Sequence, residues 1–149
     1  MCFTLYAGTS EPMPLKEWRN DAPDLSVKAL TERQSPITAH FSEPKVQYIG
    51  STSGCGCDFP HVMFQNGHWP WFDDGEHDSE QESRDQYNRE GLVNLLRATG
   101  EQTVELYGVW DGGFDFATPP AVREEIALTA ILDPAFRFKE RGFYVVRLA

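Results

Sequence analysis

The chain has little cysteine, little positive charge and no long apolar run. Three cysteines in 149 residues are too few, and odd in number, for the disulfide framework of a small secreted domain. Thirteen Lys and Arg stand against 23 Asp and Glu, a net charge of −10. Such a surface repels phosphate backbones and anionic lipid, so no nucleic acid and no membrane is expected as a partner. No stretch approaches the roughly 18 apolar residues of a membrane-spanning helix. The opening MCFTLYAGTSEPMP lacks a basic segment followed by a long apolar one, which argues against a signal peptide. A cytoplasmic protein is the expectation, with thiols free, metal-bound or transiently oxidised. Serine-histidine-acid order, a P-loop and a dinucleotide glycine fingerprint are also missing. Any catalytic groups must therefore be scattered along the chain.

What is present suffices for a core. Hydrophobic residues make up 40% and aromatics 13%, and a chain of this size buries roughly 70% of its unfolded surface. One domain spanning residues 1–149 is expected. Phe3, Leu5 and Ala7 alternate with Cys2, Thr4 and Tyr6, a strand pattern. KVQYIGS, QTVELYGVW and, more briefly, LSVKAL also read as strands, and SPITAHFSEP holds a helical turn between Pro36 and Pro44. Three prolines in residues 11–25 point to an extended loop packed by Trp18. HVMFQNG suggests a hairpin turned at Asn66-Gly67. The principal helix lies within residues 78–99, with Leu92, Leu95, Leu96 and Thr99 on one stripe, Gly91 at a close approach and Gly100 as its stop. Val122, Glu124, Ile126 and Leu128 alternate like a strand, with a helical turn to follow, and FRFKERGFYVVRL reads as a hairpin or bent edge strand around Arg141-Gly142. The expected fold is α+β: a mixed or mainly antiparallel sheet covered on one face by one helix.

The densest chemistry is in GSTSGCGCDFPH, residues 50–61, where Cys55 and Cys57 stand one residue apart between glycines. Gly54 and Gly56 either aim successive amides inward as an anion nest or simply make a turn. Cys55 and Cys57 offer thiolates, His61 an imidazole, and Cys2 completes a four-donor set for zinc or another transition metal. A lone C-x-C falls short of the usual zinc knuckle spacing, and His40, His68 and His77 are alternative ligands. C-G-C also admits a strained, reducible disulfide. Asp58 would repel a neighbouring thiolate, so ordinary reactivity is expected of Cys55 and Cys57. Were Met1 removed, Cys2 would gain an α-amine as its own base. Amidotransferases of that class begin Met-Cys-Gly, however, and Phe3 follows here. A cysteine on a strand is the simpler reading. If the three cysteines share one site, the strand of residues 2–7 must lie beside that of 45–51.

Two other segments invite a functional reading. HWPWF contributes Trp69, Trp71 and Phe72, ring types common at interfaces and in the lining of pockets, and equally at home under a loop. Residues 73–90 hold eight acids against Arg84 and Arg89. They lack the spaced ligands and glycine of a calcium loop and suit a solvated helix start. YIGST matches half of the GIY-YIG nuclease signature, but no basic helix follows and the charge is wrong for DNA.

MCFTLYAGT at the start, SGCGCDF in the middle and VELYGVW later together resemble an uncharacterised family of small bacterial proteins with an N-terminal MC-x-T-L-Y strand and an internal G-C-G-C-x-F motif. The resemblance touches most of the chain, carries no activity with it, and implies that Cys2, Cys55 and Cys57 belong to one design. The leading functional expectation is a cysteine-centred metal or small-ligand site at the 50–61 loop. Its rivals are a protein-interaction module built on Trp69, Trp71 and Phe72 with the acidic 73–90 segment, and a thiol-based enzyme.

Overall fold

Alternation along β1 (Cys2–Thr9) sorts its side chains onto two faces of a sheet. The computed structural model describes residues 2–62, 79–112 and 115–148. β1 lies between β3 (Lys45–Gly50) and β4 (Thr103–Asp111), antiparallel to both. β2 (Ser26–Ala29) extends the sheet beyond β3. β6 (Gly142–Arg147) follows β4, and β5 (Val122–Ala127) forms the far edge. The order is β2-β3-β1-β4-β6-β5, and among the described strands β5 and β6 are the one parallel pair. A mixed, mainly antiparallel sheet with one dominant helix is the architecture that the patterning predicts.

That helix, α1 (Ser79–Arg97), buries Leu92, Val93 and Leu96 against Phe3, Leu5, Ala7 and Val104. A 3-10 helix at Leu128–Leu132 adds Leu128 and Ile131 to the same core. The opposite face carries a smaller, largely aromatic cluster of Tyr6, Tyr107, Phe116 and Phe143. Ile37, from the 3-10 helix Ser35–His40, covers it. Among the described residues no helix is long and apolar enough to cross a membrane.

The closing segment departs from expectation. β6 is an interior strand, not an edge or half of a hairpin with FRFKER. Phe143, Tyr144 and Val146 are all buried, and a strand apolar on both faces needs cover on both sides. A turn at Lys139–Gly142, with Arg141 at φ 54 and the Gly142 amide donating to Lys139 O, leads into it. Phe138 pairs instead with the end of the cysteine loop: its amide donates to Pro60 O, and the Val62 amide donates to its carbonyl. The Asn66-Gly67 hairpin falls outside the described residues.

Candidate metal centre

β1 and β3 are neighbours, so the loop that leaves β3 at Gly50 returns past the start of β1, where Cys2 stands. The Gly56 amide donates to Phe3 O at 2.9 Å, and a Cβ on Gly56 would sit 2.6 Å from that oxygen. Only glycine allows the loop this close to the strand. Gly54 reverses the chain at φ +90, a conformation that costs a side-chain-bearing residue, and Trp18 packs over it.

Polar contacts fix the rest of the loop. Trp18 Nε1 donates to Thr52 O at 2.9 Å. Asn88, fully buried on α1, accepts the Thr52 amide at 3.0 Å and donates to Thr52 Oγ1 at 2.9 Å. Thr52 Oγ1 in turn donates to Asp58 at 2.7 Å. Ser51 donates to Cys55 O through its hydroxyl, which also accepts the Asp58 amide at 3.2 Å. The amides of Ser51, Gly54, Gly56, Asp58 and Phe59 all donate to oxygen atoms of the chain. That commitment rules against the anion nest and for the turn, because the donors a nest would present are already used.

The outcome is a cluster of sulfur. Sγ atoms of Cys2, Cys55 and Cys57 lie within 4.8 Å of one another, all three residues half-buried and unpaired by disulfides. Tetrahedral zinc with bonds of about 2.3 Å sets its sulfurs roughly 3.8 Å apart, within about 1 Å of the spread seen here. These cysteines form a site able to coordinate a metal ion.

Electrostatics divides the three. Burial pushes the Cys2 thiol up, reinforced by Cys55. Burial and the hydrogen bond to Cys55 push Cys57 up to about 12. For Cys55 burial acts in the same direction, yet hydrogen bonds from the Cys57 thiol, Ser53 and the Cys57 amide outweigh it and hold the thiol below its ordinary value. The Cys57 amide lies 3.4 Å and Ser53 Oγ 3.5 Å from Cys55 Sγ. Asp58, the group that would repel a thiolate here, accepts from Thr52 Oγ1, and the donors converge on the Cys55 sulfur.

His61 does not join the set. Its imidazole stacks on Phe3 at a centroid distance of 4.4 Å, meets Trp110 edge-on, and shares a 2.6 Å hydrogen bond between Nδ1 and Phe59 O. Phe3 points to the α1 face of the sheet and Cys2 to the other, so alternation places His61 across the sheet from Cys2. His40 Nε2 is bound to Phe116 O at 2.8 Å. His68, His77, Trp69, Trp71 and Phe72 fall outside the described residues.

Beside the sulfurs lies an open cavity of about 260 Å³, with Cys2, Cys55, Thr4, Lys28, Tyr48 and Asp111 in its wall. Asp111, the cross-strand partner of Cys2, accepts a 2.6 Å ion pair from Arg33. Lys28 Nζ stands 6.0 Å from the centroid of the Tyr48 ring. None of these four polar residues was singled out from sequence, because strand pairing alone brings them together. Asn88 did leave a signal: it lies four residues before Leu92 and shares the buried stripe.

Comparison with protein-family models, curated proteins and solved structures returns no match.

Proposed function

We propose that the domain binds a soft transition-metal ion, zinc above all, through Cys2, Cys55 and Cys57. The observation that carries the reading is the convergence of three sulfurs from two distant parts of the chain. Thiolates select soft and borderline metals such as Zn²⁺ and Cu⁺ over Mg²⁺ or Ca²⁺. Three protein ligands with an accessible side is the arrangement of metal sites that meet small molecules, whereas purely structural zinc sites close all four positions. The cavity is that accessible side, and its occupant supplies the remaining donor. A reducing compartment such as the cytoplasm keeps all three thiols available. The net charge of −10 disfavours polyanionic partners.

The test is elemental analysis of protein purified without a metal-chelating tag, followed by titration of metal-free protein with Co²⁺, whose thiolate charge-transfer bands report sulfur ligation. One equivalent of metal and those bands are expected, and Cys55→Ser should remove both. Cys2 and Cys57 hold their protons at neutral pH and must release them to the metal, so affinity should rise with pH, by about tenfold per unit for each proton displaced. Protein that carries no metal and shows no thiolate bands across pH 6 to 9 would rule the reading out.

A further inference from the structure

The three sulfurs are close enough to react with one another as well as to share a ligand. Cys55 Sγ is the hub, since Ser53 Oγ and the Cys57 amide both approach it. Cys2 and Cys55 line the cavity, and Cys57 does not. A small oxidant that enters the cavity meets those two sulfurs. A bond between Cys55 and Cys57 would instead have to close within three residues whose backbone is already tied, Gly56 to Phe3 O and the Cys57 amide to Cys55 itself. A bond between Cys2 and Cys55 joins two separate segments whose sulfurs already lie within 4.8 Å of each other.

We propose that the trio is also an oxidative modification site, at which a small peroxide converts Cys2 and Cys55 to a disulfide and thereby expels the metal. The Cys55 thiolate attacks one oxygen of hydrogen peroxide. An S–O bond forms, the O–O bond breaks, and hydroxide leaves a sulfenic acid behind. Cys2 then gives up its proton and attacks that sulfur: an S–S bond forms, the S–O bond breaks, and a second hydroxide departs. Both hydroxides take the protons that the two thiols gave up. Two thiols are oxidised by two electrons, and peroxide is reduced to two waters. Of the three sulfur donors only Cys57 is then left, too few to hold the ion. The disulfide rests on the sulfur geometry alone; the expulsion rests on the metal reading above.

The experiment treats metal-free and zinc-loaded protein with hydrogen peroxide, alkylates the remaining thiols, and maps linked peptides without reduction. A chromogenic chelator follows released zinc in parallel. The expected product links Cys2 to Cys55, leaves Cys57 alkylated, and reverts with dithiothreitol. Cys57→Ser should still form the bond. Cys2→Ser should lose it and carry Cys55 on to the sulfinic acid. A Cys55–Cys57 link, or higher acids with no disulfide in the unsubstituted chain, would overturn the proposal. Zinc retained after the disulfide has formed would overturn the expulsion alone. A disulfide in protein that never takes up metal would leave the modification site standing and remove both the expulsion and the metal reading.

Discussion

The face of the sheet beneath α1 and the face that carries Cys2 are built from the same strands but filled differently. Under α1, Phe3, Leu5, Leu92, Leu96 and Val104 are entirely buried, and the helix closes over them. Across the sheet, among the described residues, the cover is a short 3-10 helix and an aromatic cluster. At this end of the sheet Cys2, Cys55 and Cys57, half-buried among the described residues, meet with polar neighbours. The difference runs through two adjacent residues: Phe3 anchors the closed face, and Cys2 equips the open one. The packed side determines where the sulfurs stand, because the cysteine loop is tied to Phe3 O and to Asn88 on α1.

Breaking the closed face should have the largest effect. The Phe3 ring is fully buried, stacks on His61, and lies over Gly108, where an added Cβ would come within 2.5 Å of it. Phe3→Ala should cost about 3–5 kcal/mol of unfolding free energy, the usual penalty for emptying a core aromatic site. Urea denaturation of metal-free protein measures it. A loss below 1 kcal/mol would show that the loop, not the ring, holds this end of the sheet.

A subtler change acts where the two faces touch. Gly56→Ala puts a methyl 2.6 Å from a backbone oxygen that has no freedom to turn away. The loop must lift from β1, at about 1–3 kcal/mol by the scale for overpacked sites, and Cys55 and Cys57 move away from Cys2. Stability should fall less than in Phe3→Ala, while Co²⁺ binding should weaken out of proportion. If stability falls but the cobalt spectrum is untouched, the sulfur cluster does not depend on this approach.

These residues also show what the chain discloses in advance. Alternation at residues 2–7 identifies β1 and assigns Phe3 and Cys2 to opposite faces, and the leucine stripe with its Gly100 stop delimits α1, because both patterns are local. The juxtaposition of β1 and β3 was legible as a condition: the cysteines could share a site only if those strands paired. What local pattern cannot supply is long-range order. The interior place of β6 depends on its parallel pairing with β5, and the role of Arg33 on its reach to Asp111, 78 positions away. His61 illustrates the opposite error. Four residues from Cys57 it is a ligand candidate by spacing, but the turn carries its ring onto Phe3, across the sheet from Cys2.

The smallest expected effect belongs to that histidine. Burial holds the His61 imidazole below its ordinary pKa of 6.5, against the pull of Phe59 O and Asp85. The unfolded chain therefore binds a proton there before the folded one does, so stability is full above pH 6.5 and declines as pH falls toward the lowered value. The slope cannot exceed about 1.4 kcal/mol per pH unit for a single proton. Glu140, whose carboxyl burial pushes up, has the opposite sign: it adds stability in acid and withdraws it as pH rises through its folded value. Comparing His61→Phe with the unsubstituted chain cancels that contribution, since the phenyl ring keeps the stack on Phe3 and cannot titrate. Urea midpoints at pH 7.5 and 5.5 should separate for the unsubstituted protein and draw together for the variant. Equal separations in both would mean that His61 is solvated in the folded state and that the closed face opens further than its packing indicates.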